Sequence, residues 1–109
     1  MPKIKSEYKD LDKYNYSDGD IYYYKKDTYI QHNPYGPAFL KKDGYKEYWI
    51  ENIIHRLDGP ARIWPDGYEE YYINDKFLTE EEFEVHPERL KFLGKEYLIL
   101  LKWYTSINY

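Results

Sequence analysis

The 109-residue chain contains no cysteine and one methionine. Disulfides and thiol chemistry are therefore excluded, and an intracellular location is the default expectation, because small secreted domains often need disulfide staples. Long apolar runs are also missing. The longest, Tyr97-Leu98-Ile99-Leu100-Leu101, falls far short of the ~20 residues that cross a bilayer. The start, Met1-Pro2-Lys3-Ile4-Lys5, lacks the apolar stretch of a secretory signal. The 6 glycines are scattered, so neither a phosphate loop nor a dinucleotide fingerprint is present. Charge of one sign does not dominate. With 20 acids against 16 bases the net charge is -4, too mild for a polyanion mimic and of the wrong sign for a general nucleic-acid binder.

Tyrosine is present in excess, at 16 residues. It favours strands, brings large contact area and keeps one polar tip. Much of it lies in an internal repeat. HNPYGPAFLKKDGYKEYWIEN, from His32, aligns with HRLDGPARIWPDGYEEYYIND, from His55, at an offset of 23 residues and with 10 of 21 positions identical. A partial copy, Asp18-Gly19 through Lys26, precedes them with a loop two residues longer. The reading is a single domain over 1–109: an N-terminal lead (1–17), β-hairpin repeats (18–78) and a mainly helical C-terminal segment (79–109).

Each copy reads as a hairpin. Asp43-Gly44 and Asp66-Gly67 are two-residue turn signals between alternating segments. Ala38–Lys41 and Ala61–Trp64 are the upstream strands, and Tyr45–Ile50 and Tyr68–Ile73 the downstream ones. Glu51-Asn52 and Asn74-Asp75 form the next turns. Pro37 and Pro60 stand at strand starts, where a missing N–H is tolerated. The turns predict an antiparallel meander of about five to seven short strands. Alternation puts Tyr45, Glu47 and Trp49 on one face with Tyr68, Glu70 and Tyr72. The other face carries Tyr48, Ile50, Tyr71, Ile73, Leu40 and Ile63, which are assigned to the core. The facing of Phe39 and Trp64 is unsettled.

The period changes in the tail. Thr79-Glu80-Glu81-Glu82 is a capping-box pattern that starts a helix at Glu80, with acids at the positive end of the helix dipole. Pro87 suits the first position of a second helix. Leu90, Leu93, Tyr97, Leu100, Leu101 and Tyr104 then fall near helical spacing, with Gly94 against it. Residues 96–104 read as helix, with strand as the alternative. The fold class expected is α+β: an antiparallel β-meander of repeated hairpins with a C-terminal helical segment packed on or beside it.

The pattern His55-Arg56-Leu57-Asp58-Gly59-Pro60-Ala61, then Asp66-Gly67, then Tyr71-Tyr72-Ile73-Asn74-Asp75-Lys76, resembles a tandem-repeat family of tailed-phage, giant-virus and bacterial proteins. It is similar to MORN-like hairpin repeats, and Leu78-Thr79-Glu80-Glu81-Glu82-Phe83 resembles the way such arrays close. The resemblance spans roughly residues 18–83. It implies hairpin architecture and a mobile-element origin, and no activity. Asn33-Pro34-Tyr35 departs from the pattern, as does Asp75, where the family has glycine.

Chemistry finds little foothold. His32 and His55 have no partner at ligand spacing and read as loop histidines that bond the following turn. Asp58-Gly59-Pro60 reads as a turn, with Arg56 able to pair with Asp58. Glu47, Glu69 and Glu70 read as solvent-face strand residues. Ser6, Ser17 and Ser106 sit in no nucleophile elbow. No catalytic residue, metal or cofactor is expected. Tyr45, Trp49, Trp64, Tyr68 and Tyr72 form a candidate partner-binding ladder. Such rings stabilise sheets by roughly 0.2–1 kcal/mol per pair and also dominate binding hot spots. Glu80, Glu81 and Glu82 are a second candidate, able to enter a basic cleft, with helix capping as the alternative.

The function expected is non-enzymatic binding of a protein in the cytoplasm, with no membrane. Family context points to a phage-type, anti-CRISPR-like inhibitor of a bacterial defence effector or nuclease, acting by occupying its nucleic-acid channel. Direct single-strand or nucleotide stacking, and a structural or self-assembling homo-oligomer, are the competing classes.

Overall fold

The computed structural model describes residues 2–95; the expectation for residues 96–104 lies outside them. Ten strands and two helices follow in order: β1 (Lys3–Ile4), β2 (Leu11–Asn15), β3 (Ile21–Lys25), β4 (Phe39–Leu40), β5 (Lys46–Glu47), β6 (Trp49–Ile50), β7 (Ile53–Ile54), β8 (Arg62–Ile63), β9 (Glu69–Ile73), β10 (Lys76–Leu78), α1 (Glu80–Glu84) and α2 (Pro87–Phe92). Eight strands make one antiparallel sheet in the order β1-β2-β3-β4-β5-β8-β9-β10, and β6 and β7 pair separately. The fold is α+β, a meander with its helices at the C-terminal end. It holds more strands than the turn count gave. Tyr45–Ile50 breaks at Tyr48, and β1 and β2 lie within the residues read as lead.

The Asp-Gly turns repeat one geometry three times. Gly19, Gly44 and Gly67 donate to the carbonyls of Tyr16, Lys41 and Trp64, at 2.8, 3.0 and 2.9 Å, and all three glycines have positive φ. Each loop has three residues rather than the two expected. Trp64 N–H reaches Tyr68 O at 2.9 Å, leaving Pro65, Asp66 and Gly67 between them. This is the hairpin class that places a left-handed residue third. The aspartate locks the exit: Asp43 Oδ1 accepts from Tyr45 N–H at 2.9 Å and Asp66 Oδ1 from Tyr68 N–H at 3.0 Å. The turns Glu51-Asn52 and Asn74-Asp75 form as expected, with both residues at positive φ in each.

The repeated histidines do what the sequence suggested. His32 Nδ1 accepts from Glu51 N–H at 3.0 Å, and His55 Nδ1 accepts from Asn74 N–H at 2.9 Å. Each thus ties its loop to the turn that follows, across 19 residues. The two loops reach one end by different means. Arg56 donates from Nη1 to Pro60 O at 3.1 Å and from Nε to Asp58 at 2.8 Å. Asn33, 4% exposed, donates from Nδ2 to Pro37 O at 2.9 Å. Asn33-Pro34-Tyr35 therefore keeps the loop while departing from the pattern. Gly59 lies against the guanidinium: a Cβ there would stand 2.9 Å from the Arg56 guanidinium carbon, so any side chain would require Arg56 to shift.

The core is thin. Ala38, Ala61, Ile54, Ile73, Leu78 and Phe83 are buried, with Leu11, Tyr23 and Leu90 at the ends. Of the residues assigned to the core, Ile73 is buried, whereas Tyr48, Ile50, Tyr71, Leu40 and Ile63 are half-buried. Ala38 and Ala61, which close the two Gly-Pro-Ala segments, are fully buried. Lys3 pairs with the buried Asp12 at 2.9 Å, and Asp12 Oδ2 accepts from Asp27 N–H at 2.8 Å. Burial raises the Asp12 pKa, but these two partners outweigh it and hold the carboxyl below its usual range.

The helices follow their end signals. Thr79 and Glu82 form the full capping box, and His86 caps α2 with Pro87 first in the helix. Gly94, at φ +72°, ends α2: Gly94 N–H bonds Lys91 O at 3.0 Å and Lys95 N–H bonds Leu90 O at 2.7 Å. This pair of bonds is the Schellman stop, so the helix does not continue through Gly94. Among the described residues no helix is long and apolar enough to cross a membrane.

Candidate functional site

Cross-strand register places Tyr14, Tyr22, Phe39, Glu47, Arg62 and Glu70 in one row on one sheet face. Tyr45, Trp64 and Tyr68 share that face towards the Asp-Gly turns, and Trp49, Tyr72 and Phe77 share it towards the other end. Phe39 and Trp64, left unsettled by the sequence, both belong here. They lie one and three residues beyond equivalent alanines, which is the same parity. The candidate rings thus form one surface.

The rings are in contact. Tyr16–Tyr22, Tyr22–Phe39, Phe39–Tyr45, Tyr45–Trp64 and Trp64–Tyr68 lie 4.8, 4.4, 6.1, 5.0 and 5.1 Å apart between centroids. Tyr14, Tyr24 and Tyr29 extend the ridge beyond Tyr22, and Tyr72 meets Phe77 at 5.5 Å. Sequence reasoning missed Tyr14, Tyr16, Tyr22, Tyr24 and Phe77. The signal was available, because aligning the early copy further back sets Tyr16 opposite Trp64 and Tyr24 opposite Trp49.

Glu47 and Glu70 stand on this open face, as alternation predicts, but their carboxylates are largely covered by the rings. Their side chains are 14% and 18% exposed. Glu47 accepts from Tyr45 Oη at 2.6 Å and from Trp49 Nε1 at 2.9 Å. Glu70 accepts from Tyr72 Oη at 3.2 Å and from Tyr68 Oη at 3.3 Å. Each carboxylate clamps the rings two residues before and two after, and the pattern aromatic-x-Glu-x-aromatic builds this in both copies. Arg62 lies between them, 3.4 Å from Glu47 and 3.7 Å from Glu70, with its guanidinium 5.3 Å from the Tyr72 ring centre. Burial, then the Glu47 bond, pushes the Tyr45 phenol well above its usual range. Burial likewise raises Tyr72. The phenols stay neutral at physiological pH, so the rings are held as apolar bodies with their polar tips occupied.

The three glutamates lie elsewhere. Phe83 of α1 packs on Tyr71 at 4.6 Å, so α1 covers the face opposite Tyr72. Glu82 is committed to the cap: its carboxylate accepts from Thr79 N–H at 2.9 Å, and that bond holds its pKa low. Glu80 and Glu81 are exposed. The structure brings the five candidate rings together and sets Glu80, Glu81 and Glu82 behind them.

Burial lowers the pKa of His32 and His55. Their Nδ1 atoms are occupied as acceptors by turn amides. Among the described residues, no three His, Asp or Glu side chains gather as metal ligands. Comparison with protein-family models, curated proteins and solved structures finds no match to this chain.

Proposed function

We propose that the protein is a non-enzymatic binding module that engages a protein partner through the aromatic sheet face. The observation that carries this reading is the clamped ridge from Tyr16 to Tyr68, with Tyr68 55% and Phe77 54% exposed at its margins. The helices and the Arg56 loop pack on the other face, through Phe83 on Tyr71 and Arg56 on Tyr48. Rings locked before binding lose little entropy on binding, which is how aromatic anchors become hot spots.

Ring tilt favours a protein over nucleic acid. Successive rings from Tyr22 to Tyr68 are inclined by 35°, 70°, 56° and 51°. These rings are tilted against one another, one pair edge to face, and form no continuous parallel series for successive bases, Tyr22 and Tyr24 at 9° being the one parallel pair of the ridge; the net charge of -4 also opposes phosphate. The family resemblance makes bacterial defence effectors and nucleases the first partners to test, with inhibition as the outcome.

The test is affinity capture from bacterial lysate with three forms of the chain. Wild type and the back-face variant Glu80→Lys/Glu81→Lys retain the same captured protein, and Trp64→Ser/Tyr68→Ser loses it. Loss by the back-face variant alone would move the site to α1. Retention by all three would remove the aromatic face from the account.

A further inference from the structure

Glu47 holds an indole and a phenol on one carboxylate. Its Oε2 accepts from Tyr45 Oη at 2.6 Å and its Oε1 from Trp49 Nε1 at 2.9 Å. Both rings are half-buried, and the Glu47 side chain is 14% exposed. The Tyr45 ring also touches Trp64, with centroids 5.0 Å apart, and Trp64 touches Tyr68 at 5.1 Å. Trp49, joined through Glu47, therefore heads a series of indoles and phenols running through Tyr45 and Trp64 to Tyr68. Phe39, whose ring resists mild oxidants, stands between this series and Tyr22.

In a chain without cysteine, indoles and phenols are the side chains that give up one electron most readily. A neutral phenol does so easily only when its proton leaves at the same time, which needs an acceptor within hydrogen-bond reach. The acceptor therefore decides where an oxidation stops. Tyr45 has its carboxylate at 2.6 Å, whereas Tyr68 has Glu70 at 3.3 Å and is 55% exposed. Tyr23 and Tyr35 also donate to carboxylates, Glu7 and Asp10, but among the described residues their ring neighbour is Tyr8 and not an indole. Burial and the Glu47 bond keep the Tyr45 phenol from ionising first, so its electron and proton leave together.

We propose that Glu47 makes Tyr45 the terminus of a one-electron relay: oxidation of Trp49 or Trp64 by a small one-electron oxidant such as the azidyl radical ends as a neutral phenoxyl radical on Tyr45. At Trp49 the oxidant takes one electron and becomes azide, and the indole proton passes from Nε1 to Glu47 Oε1. Tyr45 then gives one electron to Trp49, its phenol proton moves to Glu47 Oε2, and Oε1 returns its proton to Nε1. The proton left on Glu47 goes to water. From Trp64, oxidised to its radical cation, the hole crosses the ring contact and only the Tyr45 proton moves to Glu47. A half-buried phenoxyl is shielded from a second chain, so the face confines an oxidation that an exposed ring would turn into a cross-link. The relay uses rings of the binding face and needs no partner.

The test is pulse radiolysis of the full-length chain with azidyl radicals, following the indolyl and phenoxyl absorptions in time. In the wild type indolyl converts to phenoxyl at a rate independent of protein concentration. Glu47→Gln keeps an acceptor oxygen but takes up no proton, and slows that phase by roughly tenfold or more. Tyr45→Phe, which deletes a single oxygen and keeps the ring, abolishes the phase and decides the matter if Glu47→Gln fails to fold. Tyr68→Phe and Trp103→Phe leave it in place. The proposal is overturned by a conversion rate that rises with protein concentration, by a wild-type rate in Tyr45→Phe or in folded Glu47→Gln, or by loss of the phase in Tyr68→Phe or Trp103→Phe.

Discussion

Removing the Glu47 carboxylate tests whether the aromatic face is organised from within. Glu47→Ala deletes the acceptor for Tyr45 Oη at 2.6 Å and for Trp49 Nε1 at 2.9 Å. Arg62 loses its nearer partner but keeps Glu70 at 3.7 Å, and its Nε, 3.4 Å from Glu47, is buried and makes no hydrogen bond that the change could remove. The main loss is therefore two hydrogen bonds to a mostly buried carboxylate. Bonds to charged groups contribute about 1.5–3 kcal/mol each, and both donors are half-buried, so water recovers part of this. The expected net cost is about 2–4 kcal/mol by urea denaturation. Glu47→Gln keeps one acceptor oxygen in place and costs about half as much. The Tyr45 phenol, followed by carbon-labelled tyrosine in a pH titration, falls towards its usual pKa in Glu47→Ala, because burial alone still raises it. A Glu47→Ala chain within about 0.5 kcal/mol of wild type, the spread of ordinary surface substitutions, would refute the clamp.

Stability falls in mild acid through His32 and His55. Their folded pKa values lie below the ordinary 6.5, so the unfolded chain binds protons first. Their contribution is whole above about pH 6.5 and is lost as pH drops through the lowered folded values, a slope that His32→Gln/His55→Gln flattens in urea midpoints. Glu51 and Glu88 beside the two rings temper the shift without reversing it. Asp75→Gly relieves a side chain held at φ +69° and stabilises by about 0.5–1 kcal/mol in the same assay. Thr79→Ala removes the α1 cap and costs about 1 kcal/mol, loosening Phe83 over Tyr71, which near-ultraviolet dichroism detects.

Local chemistry was legible because it is written in adjacent residues. The capping box at Thr79, Pro87 at a helix start, the Glu51-Asn52 and Asn74-Asp75 turns and the histidine-to-turn bonds all follow from short spacings or from repetition. Alternation alone placed Tyr45, Trp49, Tyr68 and Tyr72 together. It left Trp64 open, and it placed Glu47 and Glu70 on the right face without showing that the rings cover them. A glutamate between two aromatics at spacing two reads as exposed unless the rings' own donors are asked where they go. The core was read in part: Ile73 is buried and Tyr71 packs against its cluster, whereas alternation could not show that Ala38 and Ala61 are fully buried while Leu40 and Ile63, on the same face, are only half-buried.

The most direct measurement is the footprint of the captured partner on the chain by hydroxyl-radical labelling, which oxidises exposed tyrosine and tryptophan rings. Protection of Tyr45, Trp64 and Tyr68 on binding, with the helix residues Phe92 and Leu93 unchanged, is the result this account predicts. Unchanged labelling along that ridge, with protection confined to α1 and α2, would contradict it.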